Sequence, residues 1–127
     1  MGERYEFSEG GMRLLILEIS FPTLPEGAAG ERLGAFLLTA AQAVRQSAED
    51  AIPRLFSRYE SDPDPKKRFR YRPFVLSLSF SAEKKKRYYL VTERITLTRG
   101  GRILSEKQRA ARFDLQSGRL LGIKRKF

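Results

Sequence analysis

Apolar residues change their period twice along this chain, and each change marks an element. Residues 12–21, MRLLILEISF, form a short run of long and β-branched apolar side chains that stops at Pro22 and at Pro25-Glu26-Gly27, which predicts one strand followed by a loop. From Glu31 onward Leu33, Phe36, Leu37, Ala40, Val44, Ala48, Ile52, Leu55, Phe56 and Tyr59 recur at i, i+3, i+4 and i+7, with Arg45, Gln46, Glu49 and Arg58 between them. That spacing lays one apolar stripe along a long helix. Pro53 falls inside the pattern, where it removes a backbone donor and crowds the preceding turn, so a kink or a restart is expected over residues 50–53.

The next change is to a period of two. Residues 61–68, SDPDPKKR, carry turn-forming Pro and Asp among bases and predict a solvated loop over 61–70. Phe74, Leu76, Leu78 and Phe80 then alternate with Val75, Ser77, Ser79 and Ser81, and Tyr89, Val91, Ile95 and Leu97 alternate with Thr92, Arg94, Thr96 and Thr98. Each segment is a strand with a greasy and a polar face. Residues 82–87 join them, Arg99-Gly100-Gly101-Arg102 signals a hairpin into a strand carrying Ile103, Phe113 and Leu115, and Ser117-Gly118 turns the chain into a last strand with Leu120, Leu121 and Ile123. The expected architecture is a single α+β domain over 1–127, two-layered, in the order β-α-β-β-β(β), with one long helix packed on an antiparallel meander sheet. Residues 1–11 are expected as a flexible N-terminal arm whose Tyr5 and Phe7 add a strand to the sheet or pack on a second subunit. Phe36, Phe56, Phe74, Phe80 and Phe113 are expected in the core.

Composition narrows the chemistry. The 127 residues hold no Cys and no His, which excludes disulfides, Cys or His zinc sites, thiolate nucleophiles and any Ser-His or Cys-His pair. No cofactor is expected. Lys and Arg number 25 against 15 Asp and Glu, a net charge of +10. The excess is lopsided: residues 1–60 have a net charge of −3 and residues 61–127 of +13. Glu3, Glu6 and Glu9 stand where a secretory leader would need bases and an apolar run, so with Met1 as natural start the expected compartment is the cytoplasm.

The charge and hydroxyl pattern points to a binding surface. Tyr88, Thr92, Arg94, Thr96 and Thr98 share the outward face of one strand, and Arg102, Gln108 and Arg112 join them if the next strand runs without a bulge. Lys84, Lys85, Lys86 and Arg87 form the densest basic run, at a turn, where bases also serve simply to solvate a hairpin tip. The candidate partner or anion site is therefore Lys84, Lys85, Lys86, Arg87, Tyr88, Arg94, Arg102 and Arg112. An acidic protein surface is the first partner expected, nucleic acid on the same face the second, and homodimerisation through an open edge a further one. A membrane is not expected, because Lys124-Arg125-Lys126-Phe127 lacks an anchor. Glu93 interrupts the apolar set of its strand; paired with an Arg it is structural, and beside Glu18 or Asp114 it would be a general acid or base. Asp62-Pro63-Asp64-Pro65 lacks the ligand count and glycine of a calcium loop.

The C-terminal third carries a further pattern: Gly100-Gly101 after a strand, a strand ending Phe113-Asp114-Leu115, then Gly118, Leu120-Leu121 and a closing Phe127. Over residues 88–127 this resembles the bacterial domain family of unknown function found in the extracytoplasmic part of the lysozyme-sensing anti-sigma factor, and Ile19-Ser20-Phe21-Pro22 before the helix agrees with it in order. Arg102-Ile103 replace that family's Ala-His, Ser117 its Thr, and the basic tail an acidic one. The resemblance implies a fold and a disposition to bind proteins; lysozyme, itself basic, would be repelled by this chain. A cystatin-like wrap of sheet around helix is the nearest familiar shape, by analogy.

Overall fold

A computed structural model describes residues 2–66 and 71–126, the last three as backbone only. Met1, the second part of the expected 61–70 loop (67–70), the side chains of Lys124, Arg125 and Lys126, and Phe127 lie outside the described residues. The elements are β1 (Gly2–Glu9), β2 (Met12–Ser20), α1 (Ala28–Glu60), β3 (Phe74–Lys84), β4 (Tyr88–Arg99), β5 (Arg102–Asp114) and β6 (Leu120–Lys126). The six strands form one sheet in chain order, β1 to β6. Neighbours are antiparallel except β2 and β3, which run parallel because α1 carries the chain back between them. The α+β, two-layer architecture is the expected one.

The expected N-terminal arm is ordered as β1 and adds a strand to the sheet, one of the two roles expected of Tyr5 and Phe7; Gly10 and Gly11 at φ 58° and 77° join it to β2. Those two positive φ values build the tight hairpin turn whose twist matches the strands it joins. Pro53 does not break the helix, which runs unbroken for 33 residues, about 50 Å. Pro53 and Glu49, whose carbonyl loses its donor, both face solvent, so water can take over the lost bond.

The helix buries Leu33, Leu37, Ala41, Ala48 and Ile52, a single stripe at near-fourfold spacing, and packs chiefly against β1 and β2. The facing side of the sheet, its inner face, supplies Leu15, Leu17, Ile19, Leu78, Phe80, Val91, Ala111 and Phe113 to the core. Of the expected core phenylalanines, Phe80 and Phe113 are buried, while Phe36, Phe56 and Phe74 pack partly exposed around the rim. Phe36 meets Phe113 edge to face at 4.9 Å, and Phe21 stacks on Phe80 at 5.8 Å.

A bulge explains the apolar run Leu14-Leu15-Ile16-Leu17. Phe7 pairs with Leu15 and Ser8 with Arg13, so Leu14 is the extra residue and both Leu14 and Leu15 join the core. Ile16, 5% exposed, stands outside that core, on the outer face between Glu6 and Val75. Among the described residues no helix is long and apolar enough to cross a membrane.

Candidate functional site

Register decides which of the candidate side chains share a surface. Thr92, Arg94, Thr96 and Thr98 alternate with the inner residues Val91, Glu93, Ile95 and Leu97, and their neighbours across β3 are Ser81, Ser79, Ser77 and Val75. The outer face is thus a field of hydroxyls with Arg94 in it, and Ser79, Ser81, Thr92, Arg94 and Gln108 border a shallow 330 Å³ depression. Gln108 and Arg112 lie on this face, opposite Arg94 and Leu90.

Arg102 does not. Leu97 pairs with Ser105 and Thr98 with Ile103, so Leu104 is bulged out and the strand before it changes sides. Arg102 consequently pairs with Arg99 on the inner-face side, at the end of β4 remote from Lys84 to Arg87. The expectation that it would stand beside Gln108 and Arg112 held only for an unbulged strand, and is corrected here.

The candidates divide into three places. At one end, Lys85 N–H donates to the Tyr88 carbonyl at 2.8 Å to close the turn, and Lys85 Nζ meets Glu83 at 2.9 Å. Lys84, Lys86 and Arg87 project there exposed, with no carboxylate within 4.0 Å among the described residues. Arg112 completes the cluster with its guanidinium 5.0 Å from the Tyr88 ring centroid. In the middle of the face Arg94 is paired with Glu106 at 3.3 Å. At the far end, about 37 Å along β4, stands Arg102.

Among the described residues the rest of the outer face is electrically balanced. Arg4 pairs with Glu6 (3.2 Å) and Glu18 (3.7 Å), and Arg13 with Glu6 (3.2 Å). Among the described residues, unpaired positive charge bordering the outer face is therefore concentrated at Lys86 and Arg87 of the turn and at Arg112, while Lys84 pairs with Tyr89 and stands on the inner-face side of the same turn.

Glu93 lies on the inner face, 9% exposed, and accepts a hydrogen bond from the Arg109 guanidinium directly opposite at 2.6 Å. Glu18 is on the other face with Arg4, and Asp114 closes the turn after β5, so the three carboxylates are not brought together. Asp114 accepts bonds from Ser117 N–H (2.8 Å), Ser117 O–H (2.9 Å) and Gln116 N–H (3.1 Å). The Ser117 bonds, foremost its N–H, hold the Asp114 carboxyl below its ordinary value. The turn they fix sets Gly118 against the backbone of Ala29 at the start of α1, where a side chain would not fit.

Sequence reasoning passed over a second cationic group, where Arg58, Arg72 and Arg99 gather near Tyr71 and Phe74. Their only sequence signal was their sign. No family model, no curated protein and no solved structure matches the chain.

Proposed function

We propose that the chain is a noncatalytic binding domain that holds an acidic protein partner at the Lys84–Tyr88 end of its outer sheet face. The observation that carries this reading is the cluster of Lys86, Arg87 and Arg112 beside half-buried Tyr88, with no carboxylate within 4.0 Å among the described residues, flanked across the turn by exposed Lys84, on a face whose other described arginines are paired. An Arg-backed Tyr beside exposed cations supplies a central anchor and long-range steering, the combination that protein interfaces use. The protein-binding disposition implied by the resemblance over residues 88–127 agrees with it.

Nucleic acid is the second reading, favoured by the Ser and Thr field beside Arg94. It ranks lower because a single-strand path needs several stacking rings and a continuous line of free cations, and among the described residues the outer face offers Tyr88 alone. Fluorescence anisotropy with labelled poly-L-glutamate and labelled single-stranded RNA, at about 50 and about 200 mM salt, separates the two. Polyglutamate binding is expected to weaken about tenfold in a Lys84→Ala, Lys86→Ala, Arg87→Ala variant and again in Tyr88→Ala. RNA held more tightly than polyglutamate at the higher salt would replace the first reading with the second; polyglutamate binding unchanged in the variants would remove the proposed site.

A further inference from the structure

A cleft of 740 Å³ opens at the opposite end of the sheet, between the last turns of α1, the start of β3 and the end of β4. Its organising residue is Arg99. The guanidinium carbon lies 4.5 Å from the Phe74 ring centroid and 4.7 Å from that of Tyr71, and Nε donates to the Arg72 carbonyl at 3.0 Å. Two aromatic contacts and one hydrogen bond thus fix the plane of a group that is ordinarily among the most mobile on a protein. Tyr71 is itself held, its hydroxyl donating to the Leu14 carbonyl at 3.3 Å, and burial raises its phenol above the ordinary 10.0.

This fixation leaves the Nη fork of Arg99 over. Among the described residues no carboxylate lies within 4.0 Å of Arg99, nor of Arg58, Arg72 or Lys66, which border the same cleft. Asp62 and Asp64 also border it, but each is turned to its own backbone: Asp62 accepts from Asp64 N–H at 3.0 Å and Asp64 from Lys66 N–H at 2.9 Å. The helix end is satisfied internally as well, since Ser61 N–H and O–H both donate to the Ser57 carbonyl. Among the described residues four cations border the cleft with two committed carboxylates, and the most firmly held cation, Arg99, presents paired N–H donors of the geometry that fits two oxygens of one acid group.

We propose that this cleft binds a small multivalent oxyanion, a phosphate or a polycarboxylate, with the Nη fork of Arg99 taking two of its oxygens and Arg58, Arg72 and Lys66 neutralising the remainder. The site stands apart from the Lys84–Tyr88 end and does not rest on the protein-binding reading. The turn lysines offer charge without fixed geometry, whereas Arg99 offers fixed geometry, which selects shape as well as sign.

The test is an NMR titration of the ¹⁵N-labelled full chain with sodium phosphate and, separately, sodium citrate, ionic strength held constant with sodium chloride. Saturable shifts centred on Arg58, Arg72 and Arg99 are expected, and whichever anion saturates at lower concentration names the acid group. Arg99→Lys, which keeps the charge and loses the fork, is expected to weaken binding about tenfold, and the exposed Arg58→Gln about threefold. Lys84→Ala with Lys86→Ala is expected to leave it unchanged. Shifts that follow chloride alone, or equal affinity in Arg99→Lys, overturn the proposal. Should Arg99→Lys fail to fold, Arg58→Gln and Arg72→Gln decide, and unchanged binding in both overturns it equally.

Discussion

The β1–β2 hairpin and the β5–β6 hairpin occupy the two edges of one sheet and follow the same alternation, but α1 packs chiefly on the first and reaches the second at Phe113 and Gly118. Under the helix, Leu14, Leu15, Leu17 and Ile19 are all buried, and the outer charges pair as Arg4, Glu6, Arg13 and Glu18. At the other edge Leu120, Leu121 and Ile123 stand about half exposed, Ile103 is 62% exposed, and the outer cation Arg112 has a ring rather than a carboxylate beside it. Both halves of the chain feed the core, the basic half through Leu78, Phe80, Val91, Ala111 and Phe113, but its far edge carries the half-exposed apolar side chains.

Truncations should sharpen this contrast most. Leu37→Ala or Leu17→Ala is expected to lower the unfolding free energy by about 2–5 kcal/mol, because each leaves a cavity in the covered half. Leu121→Ala at the bare edge should change it by no more than about 0.5 kcal/mol, and urea unfolding of the three variants checks both values. Equal losses would mean that the β6 edge is covered in solution.

Glycines offer the next comparison. A side chain at Gly30 would land on the Pro25 carbonyl oxygen, so Gly30→Ala should cost about 3 kcal/mol, whereas Gly122 in β6 has nothing near it and Gly122→Ala should be close to neutral. Thermal unfolding of the pair is sufficient to see the difference. Between β4 and β5, Arg109→Ala leaves Glu93 buried without its donor, for a loss of about 1–3 kcal/mol. Adding Glu93→Gln should recover part of it, and a double-mutant cycle measures how much.

The smallest effect concerns pH. The folded state holds Asp114 below its ordinary 3.8, so its contribution is complete above that value and is lost as pH falls through the folded pKa. Asp114→Asn should flatten the acid limb of stability against pH. An unchanged limb would show that the turn after β5 is not what fails first in acid.

Much of the fold was legible in the residues. Leu33, Leu37, Ala48 and Ile52 mark the helix face whatever Pro53 does, because the stripe continues across it. Gly100-Gly101 announced a hairpin; Gly10-Gly11 take up similar positive φ values, and Tyr5 and Phe7 offered the added strand only as one of two alternatives, which α1 packing on β1 decides. The candidate site was less legible. The Lys84–Arg87 run was found because neighbours in sequence are neighbours in space at a turn. Arg102 was misplaced by one bulged residue, Leu104, which leaves composition untouched and reverses the strand's sides. The Arg99 cleft joins residues of α1, β3 and β4, and no local pattern foretells three elements meeting.

The one parallel pairing also shapes how the chain reaches this state. Every other neighbouring pair of strands is a hairpin that can zip from its own turn within microseconds, but β2 meets β3 only after the entire length of α1 has been bridged. The loop-closure entropy of the whole domain is gathered in that single joint. The continuity of the six-stranded sheet thus depends on the joint where Leu15, Leu17 and Ile19 meet Phe74, Leu76 and Leu78.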